Sequence, residues 1–274
     1  MNTAQKVIKF LAMAFALFLS VCIIGGIITG LAGVSFILSG VSGEAVGELQ
    51  SYPVDGDISS LEIDLSAANL KIKSADKLSL ESNHKYISVS CEDGQLSIKE
   101  AKRLFGVSPV GVTVILGIPD GFVFDGVSID TGAGSVEIEA LSADILKISL
   151  GAGEAKISNL TANSRADIDG GAGEMTIDGG RLNNLSLDMG VGELTLRSRI
   201  EGTSELDYGV GETRLTLIGS REDYQIKLDR GLGEAKLEGE SMGDTSVYGA
   251  GQNLIDIDGG VGAIKIDFEK DGVR

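Results

Sequence analysis

Asp169-Gly170-Gly171-Ala172-Gly173-Glu174, Asp188-Met189-Gly190-Val191-Gly192-Glu193 and Asp207-Tyr208-Gly209-Val210-Gly211-Glu212 are three copies of one phrase, and a fourth stands at Asp229–Glu234. The phrase reads Asp-x-Gly-apolar-Gly-Glu. Partial copies sit at Asp130–Ser135, Ser149–Glu154, Gly249–Gln252 and Asp258–Ala263. From Gly132 onward the first glycines are spaced 19, 20, 19, 19, 22, 18 and finally 11 residues apart. A period near twenty is the sequence mark of a solenoid, in which no coil buries its apolar face alone and stacked neighbours complete the core.

Each coil carries the same alternation. Leu146, Ile148 and Leu150 alternate with Lys147 and Ser149, the period-two pattern of a strand with one buried face. Ala152 continues that inward phase, and the next apolar residues are Ala155 and Ile157. The slip of one residue across Gly153-Glu154 predicts a bulge or corner, which glycine accommodates. Stacking the copies predicts two inward columns. One holds Ile129, Ile148, Ile168, Leu187, Leu206 and Leu228, and the other runs from Ile138 and Ile157 to Leu237 and Ile266. Asp130, Asp169, Asp188, Asp207 and Asp229 fall in an outward column. Glu154, Glu174, Glu193, Glu212 and Glu234 fall in another, with Lys156, Arg214 and Lys236 two residues beyond their glutamates. The fold class expected is all-β, a right-handed parallel β-solenoid of roughly ten coils about 4.8 Å apart.

From Phe10 to Leu38 no residue is charged, a run of 29 that is long enough for one transmembrane helix. Lys6 and Lys9 precede it and Glu44, Glu48, Asp55 and Asp57 follow. The positive-inside rule puts residues 1–9 in the cytoplasm and the repeats outside a single-pass cell-membrane anchor. A cleaved signal peptide with Gly43-x-Ala45 as its site is the rival, but its apolar region spans only about 7–15 residues. Leu19-Ser20-Val21-Cys22 makes a poor lipoprotein box, and Gly26-xxx-Gly30 is a weak helix-pairing signal. Residues 39–56 read as a linker. The solenoid then occupies 57–274, with an irregular first part over 57–126 and regular repeats over 127–268, closed by the charged tail Glu269–Arg274.

In the irregular part, Leu61–Leu65, Leu70–Lys73, Leu78–Glu81, Tyr86–Ser90, Leu96–Lys99 and Val112–Ile118 read as strands, with turns at Asp93-Gly94 and Pro119-Asp120-Gly121. Ala101–Pro109 reads as a loop.

The phrase Leu61-Glu62-Ile63-Asp64-Leu65-Ser66-Ala67-Ala68-Asn69-Leu70-Lys71-Ile72, followed by Asp93-Gly94-Gln95-Leu96-Ser97-Ile98, resembles the putative-adhesin family of bacterial surface proteins. So does Ile118-Pro119 leading into Val127-Ser128-Ile129-Asp130-Thr131-Gly132-Ala133-Gly134. The resemblance covers about residues 57–268. It implies an N-terminal membrane segment, a β-solenoid ectodomain and a place on the cell surface, in some members alongside envelope-stress systems. It supplies no catalytic or binding residues.

The formal charge is −17, and −19 once Lys6 and Lys9 are set aside. That opposes nucleic acid and unaided attraction to anionic lipid. Cys22 and Cys91 leave no disulfide for the ectodomain. His84, the only histidine, lies in Ser82-Asn83-His84-Lys85, a surface turn without a nucleophile signature. Cys91 reads as a buried or half-buried structural thiol. Asp188 and Asp207 should stand about 5 Å apart, the carboxylate gap of retaining glycosidases. Stacking imposes that gap on every ladder, so it says nothing about catalysis. The calcium-binding toxin repeat is absent: Met175 and Ile264 stand where its aspartate belongs.

The function expected is a non-enzymatic, membrane-anchored, adhesin-like module that binds or scaffolds an envelope polymer or protein. The chain is read as a monomer, with end-to-end stacking into a scaffold as the alternative, and a polysaccharide-degrading enzyme is set aside. No cofactor is expected. In the coil at Asp188 the outward positions are Asp188, Gly190 and Gly192, a strip of bare backbone beside the Asp column. Asp169, Asp188, Asp207 and Asp229 are the candidate metal ligands of that strip. They would recruit divalent cations such as calcium weakly, since the oxygens come from separate coils rather than one enclosing loop.

Overall fold

The computed structural model describes residues 47–84, 86–100, 111–243 and 245–270. The segment 10–38 read as a membrane helix lies outside them, as does the loop read at 101–109. Among the described residues no helix is long and apolar enough to cross a membrane.

The described chain is all-β, built from strands of one continuous, mostly parallel sheet. The first seven strands are β1 (Gln50–Tyr52), β2 (Ser60–Ala67), β3 (Asn69–Ala75), β4 (Ser79–Ser82), β5 (Ile87–Glu92), β6 (Gln95–Glu100) and β7 (Thr113–Pro119). The long ones that follow are β8 (Phe124–Ile138), β9 (Leu141–Ile157), β10 (Leu160–Asn183), β11 (Leu185–Glu201) and β12 (Thr203–Ile218). The last are β13 (Tyr224–Asp229), β14 (Leu232–Leu237), β15 (Glu240–Ser241), β16 (Thr245–Gly249) and β17 (Asn253–Glu269).

The strands stack as rungs of a solenoid, and the alternation read from the sequence sets what each rung buries. Ile98, Ile63, Ile129, Ile148, Ile168, Leu187, Leu206, Ile257 and Leu228 form one column in register across nine rungs. Every one of them is buried. The second column runs from Leu116 and Ile72 through Ile138 and Ile157 to Ile266 and Leu237, likewise buried. A third run of inward residues, Phe124, Ala143 and Ala162 in neighbouring rungs, closes the cross-section. In-register columns of branched aliphatic side chains make a core from a repeat too small to own one.

The spatial order of the rungs departs from the sequence order at both ends. At one end β2 and β3 lie between β8 and the pair β6–β7. At the other, β17 lies between β12 and the pair β13–β14. At this second end the chain lays down its outermost rung, β13–β14, before β17 returns to fill the gap; at the first, the inner rung β2–β3 comes first, the outermost pair β6–β7 follows, and β8 resumes on the inner side. Both terminal rungs are covered by antiparallel strands: β5 on β6, β4 on β7 with β1 beyond it, β16 on β13 and β15 on β14. Antiparallel caps end a parallel array without leaving its core open, and they shorten the exposed edge.

This corrects three readings. The repeat ending at Phe268 is not the last rung: β17 is interior, strands β15 and β16 cap the outermost rung, and residues 271–274 of the tail lie outside the described residues. Gly249 is not a corner copy but the end of cap strand β16, with a positive φ of 78°. Gln50–Tyr52, inside the stretch read as a linker, forms a strand on β4. The irregular spacings of 18 and 11 thus mark the cap.

Side-chain clasps hold the returning strand. Arg197 on β11 donates from Nη2 and Nε to the two oxygens of the Glu269 carboxylate at the end of β17, at 2.6 and 2.8 Å, and from Nη1 to Asp178 at 3.1 Å. These partners hold the arginine above its ordinary range, Glu269 contributing most. Tyr224, buried at the start of β13, donates to the Ile218 carbonyl at 2.7 Å and packs on Phe268.

His84 is also corrected. It is 3% exposed, with Nε2 3.3 Å from Glu100 Oε1, whose own side chain is 7% exposed. The other oxygen of Glu100 accepts from the Ser66 and Ala67 N–H groups. A turn beside a cap strand folds the ring inward, which sequence periodicity cannot register. Cys91 is half-buried and free, as read.

Candidate functional site

The Asp-x-Gly-apolar-Gly-Glu corner sorts its side chains by direction. In β11, Asp188 is exposed, Met189 is buried, Val191 is 47% exposed and Leu194 is buried again. The two buried positions are five apart in sequence, an odd step, so the parity slips, as the sequence predicted. The two glycines absorb the slip. A Cβ on Gly190 or Gly192 would run into the backbone of Gly171 or Gly173 in the next rung, and Gly192 has a φ of 145° that L-residues avoid. Glycine is needed here because adjacent rungs touch backbone to backbone.

The residue between the glycines points outward, and that overturns the inward reading of Ala152. Ala133, Ala152 and Ala172 are exposed, Val191, Val261 and Leu232 are 47%, 48% and 73% exposed, and Val210 is half-buried. They pair rung to rung in the order Ala133, Ala152, Ala172, Val191, Val210, Val261, Leu232. The strip is therefore no bare backbone. It is a shallow groove whose floor is the first glycine of each phrase, with the Asp column on one wall and an apolar ridge on the other.

The Asp wall is more continuous than the sequence indicated. Asp64, Asp130, Ser149, Asp169, Asp188, Asp207, Asp258 and Asp229 succeed one another in register. Asp169, Asp188 and Asp207 are neighbours, as expected. Asp258 separates Asp207 from Asp229, because β17 is inserted there. The available sequence signals were the partial copy at 258–263 and the likeness of Ile63-Asp64 to Ile129-Asp130. Ser149 donates to Asp169 at 3.2 Å, and the Gly231 N–H donates to Asp229 at 3.3 Å. Burial, then the charges of Glu205, Asp258, Asp188 and Asp256, push the Asp207 carboxyl above its usual range. Among the described residues no group of three or more His, Cys, Asp or Glu is arranged to enclose a metal ion.

Beyond the ridge four members of the Glu column, Glu154, Glu193, Glu212 and Glu234, are ion-paired. Lys156 pairs with Glu154, Arg214 with Glu193 and Glu212, Lys265 with Glu212 at 2.7 Å, and Lys236 with Glu234 at 2.9 Å. On the Asp side the adjoining outward row adds Glu205 and Asp256, and Lys227 meets Asp256 at 2.7 Å. The two flanks of the ridge thus differ in charge balance.

Under the groove the floor alternates small and large. The Met189 and Met175 side chains fill the volume a Cβ on Gly170 would take. One rung on, Tyr208 lines a shallow open cleft with Asp188, Asp207, Asp258 and the intervening glycines. Its hydroxyl is enclosed and has no hydrogen-bond partner. Burial, with Asp207 secondary, raises the phenol well above its ordinary range.

Residues 55–267 match the family described as Toastrack DUF4097, and the chain belongs to it. The architecture is similar to a putative adhesin from Parabacteroides distasonis at 14% identity and a TM-score of 0.46, over 81% of this chain and 98% of that one. A putative adhesin from Bacteroides fragilis shows 14% identity and 0.40, over 80% and 95%. A putative cell adhesion protein from Clostridium sporogenes shows 16% and 0.36, over 81% and 99%. No curated protein matches the chain.

Proposed function

We propose that this protein is a non-enzymatic, adhesin-like binding module on the outer face of a bacterial cell membrane. Residues 10–38 anchor it as a single helix, residues 1–9 stay in the cytoplasm, and the right-handed solenoid projects outward as a monomer. The observation that carries the reading is the set of outward rows in register, a wall of aspartates and an apolar ridge repeated rung after rung, with a row of mostly ion-paired glutamates beyond it. A line of identical chemistry suits an extended partner, such as an envelope polymer or protein, better than a small substrate. Antiparallel strands over both terminal rungs favour the monomer over end-to-end stacking. Lys6 and Lys9 before the apolar run, and acidic residues after it, support the orientation. Protease added to intact cells should remove the repeats and leave a membrane-bound stub. Repeats protected until the cells are lysed would reverse the topology and end this reading.

A second reading of the Asp wall rests on the upward-shifted Asp207 carboxyl between Asp188 and Asp258. Like charges about 5 Å apart cost on the order of 1 kcal/mol per pair before screening. Asp169, Asp188, Asp207 and Asp229, with Asp258 among them, would recruit divalent cations weakly and so bridge the wall to anionic polymer. Calcium should raise the melting temperature by about 2–4 °C over sodium at equal ionic strength. Asp188→Asn/Asp207→Asn should erase that difference. Equal effects of calcium and sodium in the unmodified protein would leave the wall a solvated face.

A further inference from the structure

We propose that the groove over Gly190, Gly209 and Gly260 binds a cationic amphipathic helix, its apolar face on the ridge and its basic flank toward Asp188, Asp207 and Asp258. The inference deepens the binding-module reading and rests on it.

Three independent features of the groove select this occupant. The first is the ridge. Val191, Val261 and Leu232 are about half or more exposed, while the core columns are complete without them. A corner residue that merely solvated the fold would be polar, as the Asp and Glu rows on either side are. Contiguous exposed aliphatic side chains mark an interaction surface.

The second feature is the asymmetry of charge. Beyond the ridge Arg214, Lys265 and Lys236 already satisfy glutamates. On the groove side Asp188, Asp207 and Asp258 face one another across successive rungs. Burial first, then the charges of Glu205, Asp258, Asp188 and Asp256, raise the Asp207 carboxyl, and a cation laid on this in-register row would meet carboxylates on three successive rungs. An anionic partner would meet net repulsion on that wall, and a neutral apolar one would leave the wall unmatched. A partner with basic groups beside an apolar stripe complements both walls.

The third feature is dimensional. The rows repeat at the rung spacing, about 4.8 Å. Same-face residues of a helix recur at i, i+3/i+4 and i+7, roughly 5–6 Å apart, so a helix laid along the stack meets successive ridge residues over a few rungs. An extended strand repeats its side chains every 6.6–6.8 Å, at about 3.3–3.4 Å per residue, and falls out of phase sooner. Helix-in-groove recognition uses this spacing of apolar anchors. Tyr208, whose enclosed hydroxyl has no hydrogen-bond partner, lines the same cleft at its most acidic point.

The probe is a short synthetic helix-forming peptide with leucine at i, i+3/i+4 spacing and lysine on one flank. Its control has the same composition, scrambled so that leucines share no face. The full chain is held in zwitterionic lipid nanodiscs, with empty nanodiscs as reference, and binding is read by fluorescence anisotropy of the labelled peptide. Saturable binding to the native chain is expected, about tenfold weaker for the scrambled peptide. Val191→Ser/Val261→Ser/Leu232→Ser should weaken it about tenfold by removing apolar contact. Asp188→Asn/Asp207→Asn/Asp258→Asn should weaken it similarly, with binding falling as salt rises. All six positions point outward, and unchanged circular dichroism confirms that each variant is folded. Absence of saturable binding overturns the proposal. So does a result in which the aspartate variant weakens binding but the ridge variant and the scrambled peptide do not, because that is the diffuse attraction of any acidic protein. Membrane topology does not enter this measurement, so its failure is distinguishable from failure of the protease test.

Discussion

Ile168→Asp is expected to leave the solenoid unfolded at ordinary temperature, while Thr176→Asp in the same strand is expected to melt within a few degrees of the unmodified protein. Ile168 is 1% exposed and stacks between Ile148 and Leu187 in neighbouring rungs. A carboxylate there has no partner on any side. Burying one unpaired costs several kcal/mol, either as a charge or as the work of protonating it. The whole stability of a folded domain is only about 5–15 kcal/mol. The column also transmits the damage, because each rung completes the core of two others. Thr176 differs. It lies on the outward row between Lys156 and Thr195, so a new carboxylate there meets water and a lysine, an exposed pair worth about 0–1 kcal/mol. Urea unfolding followed by circular dichroism separates the two, and Ile168→Val should lose only about 0.5–1.5 kcal/mol. Equal behaviour of the two aspartate variants would mean that the inward and outward rows are misassigned.

The rows could be read from the sequence because period-two alternation is a local property of each strand. Ile148, Ile168 and Leu187 announce themselves by their own neighbours, and repetition then fixes the register. The corner could not be read so simply. Ala152 continues the alternation of Leu146, Ile148 and Leu150, yet it is exposed, because the backbone turns at the glycines on either side of it, Gly151 and Gly153. The hint was in the column itself: alanine, valine and leucine succeed one another there, a tolerance of size that a packed interior lacks. Rung order was harder still. The phrase at Asp258–Ala263 differs from the full copies in its last residue, alanine for glutamate, and carries no address. Only long-range pairing places it between β12 and β13, and the groove wall gains Asp258 as a consequence. The buried His84–Glu100 contact was illegible for the same reason, since its partners come from separate strands across a cap.

The inserted strand makes an unequal pair of predictions for Ile257→Asp and Leu228→Asp. Both side chains are fully buried, in adjacent rungs of one column. Each substitution should cost several kcal/mol locally. In a quasi-one-dimensional fold, end rungs can open without unfolding the middle. The consequences then depend on who leans on whom. Among the described residues the pair β13–β14 has parallel contact with the array only through β17; its other strand partners are the caps β16 and β15. Ile257→Asp should therefore release two rungs, and amide hydrogens of Tyr224–Asp229 and Leu232–Leu237 should exchange as fast as those of Asn253–Glu269. Leu228→Asp should release only the outermost rung. β17 keeps its whole ladder to β12, from Thr203 with Leu254 to Ile218 with Glu269, and the Arg197 clasp on Glu269. Amides of β17 that donate to β12 should stay protected. If rung order followed chain order, β13–β14 would separate β12 from β17 and the pattern would invert: Leu228→Asp would strip both rungs, and Ile257→Asp only the last. Hydrogen exchange read by mass spectrometry over peptides from 203–218, 224–237 and 253–269 distinguishes the two orders directly. Protection of Tyr224–Asp229 that survives Ile257→Asp would show that the terminal rung does not hang on the returning strand. Asp258 would then lose its place in the groove wall between Asp207 and Asp229.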